Sequence, residues 1–185
     1  MFTVKELRGL VRTLPLDKVL AQLGPFVLIQ RPEGPLPTQA DPHGLPINVA
    51  ATALARPDAV SQGTLGLLFE FEGLSVATLP PLQGVDELTV GRQPDCDLVL
   101  EHASVSKRHA MLRWNDAQSR CTLTDLGSTN GTFLNANSPV SSEITLKDGD
   151  IVSFGDVQCW YLLTGTLHAK LSGTLGSTKL GSHSG

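Results

Sequence analysis

Three short clusters carry the side chains with chemistry to offer: Gly91-Arg92, Ser106-Lys107-Arg108-His109 and Ser128-Thr129-Asn130-Gly131-Thr132. Each borders a short apolar run, so a turn there would lift polar groups to the rim of a rigid β scaffold. A guanidinium presents planar, permanently charged donors that match phosphate oxygens, and the small Gly91 before it lets the backbone come close. A hydroxyl such as that of Ser106, set opposite an arginine, completes a charge-assisted pair on one anion. Asn130 has both a donor and an acceptor and can pair with a peptide main chain whatever side chains the peptide bears. The combination describes a loop-built pocket for one phosphate.

Two other readings of the same residues are weaker. Ser106 and His109 could tempt a hydrolase assignment, but a spacing of three at a loop-to-strand junction gives no reason for the base to face the hydroxyl. No strand–turn–helix elbow or third triad member accompanies them. Asn130-Gly131 alone would be an ordinary hairpin turn. No catalytic residue is therefore expected, and the protein is not expected to be an enzyme.

Charge supports a single-anion site. Residues 64–167 carry 6 basic and 13 acidic side chains, a net of −7, and three of the six basic residues, Arg92, Lys107 and Arg108, lie within the clusters. Residues 1–63 carry 6 basic and 5 acidic, and the last 18 residues two lysines and no acid. Positive charge focused on one spot of an acidic domain suits one dianionic phosphate. It argues against nucleic acid, whose binding depends on many phosphate contacts spread over a surface. Cys96, Cys121 and Cys159 are odd in number and lack ligand-pair spacing, which fits reduced structural thiols and no metal. No apolar run reaches the roughly 18 residues of a membrane span. The opening residues Met1 to Glu6 have no signal-peptide pattern, so a cytoplasmic location is expected.

The elements that must position these residues are short. The chain of 185 residues suffices for one domain with extensions. Strand signals separated by turns run over 67–71, 75–79, 88–90, 98–100, 110–114, 121–124, 132–134, 144–146, 150–154 and 158–163, with no amphipathic helix between them, which predicts an all-β antiparallel sandwich. Before it, Val4, Leu7, Leu10, Val11 and Leu14, then Leu16, Val19, Leu20 and Leu23, have helical spacing and predict two short helices broken at Pro15 and stopped at Gly24. This hairpin cannot bury its own face, and Phe26-Val27-Leu28-Ile29 is a candidate strand to dock with it. Its face either covers the sandwich core, forms a homodimer or binds a dedicated partner. The expected organisation is a helical hairpin extension at 1–30, a Pro-rich linker or arm at 31–63 with a short helix near 49–55, the sandwich at 64–167, and a disordered Gly/Ser-rich tail at 168–185.

The three clusters in this order resemble the forkhead-associated (FHA) domain, a family of phosphothreonine-peptide readers, over roughly residues 64–167. The resemblance implies an FHA-type antiparallel β-sandwich with a short N-terminal helical extension. It implies phosphate contacts from Arg92 and Ser106, with Lys107 a third ligand, and peptide contacts from Thr129 and Asn130. Thr129 would also help to line the space for the phosphothreonine methyl group. Gly91, His109 and Gly131 become structural residues, His109 bracing the loops through buried hydrogen bonds, while Arg108 is a solvated or supporting charge. No cofactor is implied. The partner is a phosphothreonine-containing protein, downstream of a Ser/Thr protein kinase.

A methyl notch worth about 1 kcal/mol would favour phosphothreonine over phosphoserine. Preference beyond the phosphate falls to Ser104, Val105 and residues 134–138. Two alternatives remain at this stage: a phosphate-independent scaffold that assembles through the helical extension, and self-regulation in which a phosphorylated threonine of the N-terminal arm or the tail (Thr166, Thr174 or Thr178) fills the chain's own pocket.

Overall fold

The computed structural model describes residues 2–31, 75–78, 87–136 and 138–173. The expected strand at 67–71, the Pro-rich arm with its helix near 49–55, and the tail beyond 173 lie outside the described residues.

Two sheets stack face to face. The strands are β1 (Phe2–Thr3), β2 (Phe26–Gln30), β3 (Ser75–Thr78), β4 (Glu87–Gly91), β5 (Leu98–Val99), β6 (Ala110–Asn115), β7 (Arg120–Asp125), β8 (Thr132–Leu134), β9 (Ser138–Pro139), β10 (Ile144–Thr145), β11 (Ile151–Phe154) and β12 (Val157–Leu163). One sheet has the order β1-β3-β2-β12-β11-β8-β9 and the other β10-β7-β6-β4-β5. Pairing is antiparallel except between β4 and β5, where Val90 faces Leu98 and Gly91 faces Val99 in parallel. That exception corrects the purely antiparallel expectation. The six residues between the two strands carry the chain back so that β5 starts beside the end of β4.

The interior follows from alternation. Phe26, Leu28, Val152, Phe154, Cys159 and Tyr161 from the first sheet meet Leu88, Val90, Leu112, Trp114, Cys121 and Leu123 from the second, all buried. Phe26 sits at the centre of an aromatic cluster, 5.8 Å from the Trp114 ring and 5.1 Å from that of Tyr161. The three cysteines are free and buried. Burial pushes the Cys121 and Cys159 thiols up to about 12, which keeps them neutral packing groups.

The fold is not all-β. Helices α1 (Val4–Thr13), α2 (Leu16–Leu23) and α3 (Thr164–Leu171) form a third layer on the outer face of the seven-stranded sheet. Thr3 and Glu6 close a capping box at the start of α1, and Gly24, at φ 77°, ends α2. Val4, Leu7, Val11, Val19, Leu23, Leu167 and Leu171 bury against Val27, Ile29, Val76, Trp160 and Leu162, the opposite side chains of strands β2, β3 and β12. Strands covered on both faces read as continuous apolar runs, which is why Phe26-Val27-Leu28-Ile29 and Trp160-Tyr161-Leu162 lack polar alternation.

Two expected boundaries move. Strand β2 pairs with both β12 and β3, so the end of the supposed extension is an interior strand of the sandwich. The supposed tail from 168 begins inside α3, because Leu167 and Leu171, four apart, share a buried helical face. Asp148 anchors the start of α3 by accepting from the Leu163 N–H at 2.8 Å and the Thr166 hydroxyl at 2.5 Å. Among the described residues no helix is long and apolar enough to cross a membrane. Since Leu7 is fully buried in the helical layer, Leu7→Ala is expected to cost about 2–5 kcal/mol. Urea denaturation of the two chains measures it, and an unchanged midpoint would mean that α1 does not pack on the sheet.

Candidate functional site

All three clusters come together at one end of the sandwich. The ends of β4 and β6 are zipped by main-chain bonds: Arg92 N–H donates to the Ser106 carbonyl at 2.9 Å, Gln93 N–H to the Lys107 carbonyl at 3.2 Å, and His109 N–H to the Val90 carbonyl at 2.8 Å. Gly91 is required by contact. A Cβ there would stand 2.2 Å from the Lys107 carbonyl oxygen and 2.8 Å from the Cys96 sulfur. The third cluster joins the second through Ser106, whose Oγ accepts the Thr129 N–H at 2.9 Å and lies 3.4 Å from the Thr129 hydroxyl.

His109 holds the loops from below. It is fully buried. Its Nδ1 accepts the Ser106 N–H at 3.0 Å, so the proton resides on Nε2 and is donated to the Gly131 carbonyl at 3.1 Å. The ring stands edge-on to Phe154 at 5.8 Å. Burial lowers its pKa below the ordinary 6.5, against the opposing pulls of the Gly131 carbonyl and Asp125, and favours the neutral form this geometry needs. With Nδ1 committed to an N–H, the ring cannot act as base to the Ser106 hydroxyl, and the pair is not a catalytic dyad. Gly131 adopts a left-handed φ of 81°, which turns its carbonyl toward the imidazole.

Asp125 organises the third loop and received no role from sequence. Its carboxylate accepts from Gly127 N–H at 2.9 Å, Ser128 N–H at 3.0 Å, the Ser128 hydroxyl at 2.6 Å and the Thr132 hydroxyl at 2.5 Å. Burial alone would raise its pKa, but these donors outweigh it and hold the carboxyl below the ordinary range. The available signal was an Asp two residues before a Gly, the pattern of an Asx turn.

The rim holds the groups that could meet a ligand. Arg92 is exposed, and its Nε donates to the Val105 carbonyl at 3.2 Å, which orients the guanidinium while its two Nη groups bond to nothing among the described residues. Ser106 is half-buried; its oxygen accepts the Thr129 N–H, and its hydroxyl donates to the Thr129 hydroxyl across a long 3.4 Å contact that a stronger acceptor such as an anion would displace. Lys107, Thr129 and Asn130 are exposed beside it. Arg108 is turned away to Asp95, an exposed pair at 3.1 Å that contributes little to stability. The arrangement thus offers one bidentate cation, one hydroxyl donor and one ammonium to an anion, and an amide to whatever is attached. Among the described residues no group of His, Cys, Asp or Glu could hold a metal ion.

The family model described as FHA domain matches residues 88–155, the stretch that holds all three clusters. Glycogen accumulation regulator GarA of Mycolicibacterium smegmatis is 32% identical over 135 residues, covering 63% of this chain and 83% of GarA. The chain belongs to the FHA family. An oxoglutarate dehydrogenase inhibitor of Corynebacterium efficiens is 36% identical over 74 residues, and this FHA chain spans only 49% of that relative's length. A solved FHA domain described for phosphothreonine-dependent interactions shares 33% identity, with a TM-score of 0.41 covering 48% of this chain and 83% of that one.

Two outcomes test this FHA end of the sandwich. Gly91→Ala is expected to lower the melting temperature, since main chain rather than a flexible side chain blocks the new Cβ; an unchanged value would contradict the packing. The depressed His109 pKa makes the unfolded chain take up the proton first as pH falls. The contribution of His109 is therefore complete above about pH 6.5 and declines below it toward the folded value. Denaturation midpoints from about pH 7.5 to 5.5 should fall more steeply in the wild type than in His109→Gln; parallel curves would mean that His109 is not held neutral.

Proposed function

We propose that this FHA chain is a non-enzymatic adaptor that binds a phosphothreonine segment of a partner protein, placing it downstream of a Ser/Thr protein kinase. The observation that carries the reading is the convergence of Arg92 and Ser106 on one rim, Arg92 tied to the Val105 carbonyl through its Nε alone and Ser106 tied to the Thr129 loop. Arg92 and Ser106 take the phosphate oxygens and Lys107 adds charge. Thr129 and Asn130 contact the ligand main chain. Phosphothreonine-dependent interaction is ascribed to one solved FHA domain, and two relatives are named a regulator and an inhibitor. The three reduced, buried cysteines support a cytoplasmic site of action.

A phosphate-independent scaffold working through the helices is not favoured. Val4, Leu7 and Val11 of α1 and Val19 and Leu23 of α2 are buried on the chain's own sheet, which leaves only Leu16 and Leu20 of the helical hairpin as exposed large apolar groups among the described residues.

A phosphothreonine peptide should bind and its unphosphorylated counterpart should not, as measured by calorimetry. Removing one member of a charged hydrogen-bonded set costs about 2–5 kcal/mol, so Arg92→Ala and Ser106→Ala should each lower affinity about 30-fold or more. Equal binding of the two peptides by the wild type would overturn the reading.

A further inference from the structure

The peptide-contacting Asn130 is clamped by a residue outside the three clusters. Its Nδ2 donates to the Ser104 carbonyl at 2.8 Å. Ser104 is 9% exposed, and its hydroxyl oxygen accepts the Asp156 N–H at 2.9 Å. The neighbouring Gly155 N–H donates to the Gly131 carbonyl at 3.0 Å. These three bonds close a ring from Ser104 to Asn130, along the chain to Gly131, across to Gly155, along to Asp156 and back to Ser104. The ring has no slack, since a Cβ on Gly155 would lie 2.6 Å from the Ser104 carbonyl oxygen and 2.8 Å from its Oγ.

Two further contacts, both to His102, fix the Ser104 rotamer. His102 Nδ1 accepts the Ser104 N–H at 3.2 Å and stands 2.7 Å from Ser104 Oγ. With Nδ1 an acceptor from the main chain, the hydroxyl proton also points to it, leaving the Oγ lone pairs for Asp156.

We propose that Ser104 is a positioning residue for ligand recognition: by tying the β11–β12 turn to the Asn130 loop, it holds the Asn130 amide with one N–H consumed. The other N–H and the Oδ1 are then left facing outward as a fixed donor–acceptor pair. Such a pair complements a peptide group of the ligand, which presents one C=O and one N–H. Holding it in place beforehand removes the rotamer-ordering cost that a free Asn would incur on binding. The inference rests on the phosphopeptide reading above and extends it to a residue that touches no phosphate.

The test is a double-mutant cycle on the full chain, with affinity for a phosphothreonine peptide as the readout. Ser104→Ala should weaken binding by about fivefold or more in the wild-type background and by less than about twofold when Asn130 is already Ala, because Ser104 acts through that amide. Ser104→Thr, which keeps the hydroxyl, should restore most of the affinity. A second readout needs no variant to bind: the two Nδ2 proton resonances of Asn130, assigned by their loss in Asn130→Ala, should differ strongly in exchange rate in the wild type, with one protected by Ser104. Losses that multiply across the cycle, or two equally exchanging Nδ2 protons, would overturn the Ser104 role while leaving phosphopeptide binding intact. A wild type blind to the phosphate would overturn both.

Discussion

A neutral imidazole buried between two loops is the constraint on which the rest of this end of the molecule depends. His109 stands directly before β6, and its ring is bonded to its own loop at Ser106 and to a second loop at Gly131. A buried ring must satisfy both nitrogens or incur their desolvation cost, and only the neutral tautomer with its proton on Nε2 can do so here. That single protonation state fixes the Ser106 loop and the Asn130-Gly131 turn at one separation. Everything that could touch a ligand is hung from those two segments.

Around that pin the loops are made rigid by main-chain groups more than by side-chain contacts. The Lys107 carbonyl is approached so closely by Gly91 that no side chain fits, and the Asp125 carboxylate collects four donors in a span of eight residues. The exposed cations are thereby relieved of structural duties. Arg92 gives up only its Nε to a carbonyl, while the Arg108 charge is paired with Asp95. On a domain with net negative charge, such a small focus of positive potential suits a compact, doubly charged group better than an extended polyanion.

The helical layer plays another part. It gives the seven-stranded sheet a second buried face, so β2 and β12 carry apolar residues at nearly every position, and the sheet is braced on the side away from its partner. Stability drawn from that layer allows the opposite faces and loops to keep exposed polar groups. The layer also explains why α3 continues past the last strand: Leu167 and Leu171 complete the cover over Trp160 and Leu162.

From the sequence alone, the identities and order of the groups that meet at this end of the sandwich were legible, because Arg92, Ser106 and Asn130 each stand beside local turn chemistry that spans only a few residues. The two N-terminal helices were legible for the same reason: 3.6-residue periodicity, Pro15 and Gly24 are all local signals. Three things were settled only by tertiary structure. Phe26–Gln30 is an interior strand because β12, more than a hundred residues away, pairs with it. Residues 168–171 are helical because the sheet offers Leu167 and Leu171 a place to bury, although the Gly/Ser-rich sequence after them gives no such cue. The bonds of Ser104 were not legible because its partners, Asn130 and Asp156, arrive from different parts of the chain, 26 and 52 residues away. Turn chemistry is written in adjacent residues, whereas pairing, burial and shared hydrogen bonds depend on which distant segments the packed core brings within 3 Å or so of one another.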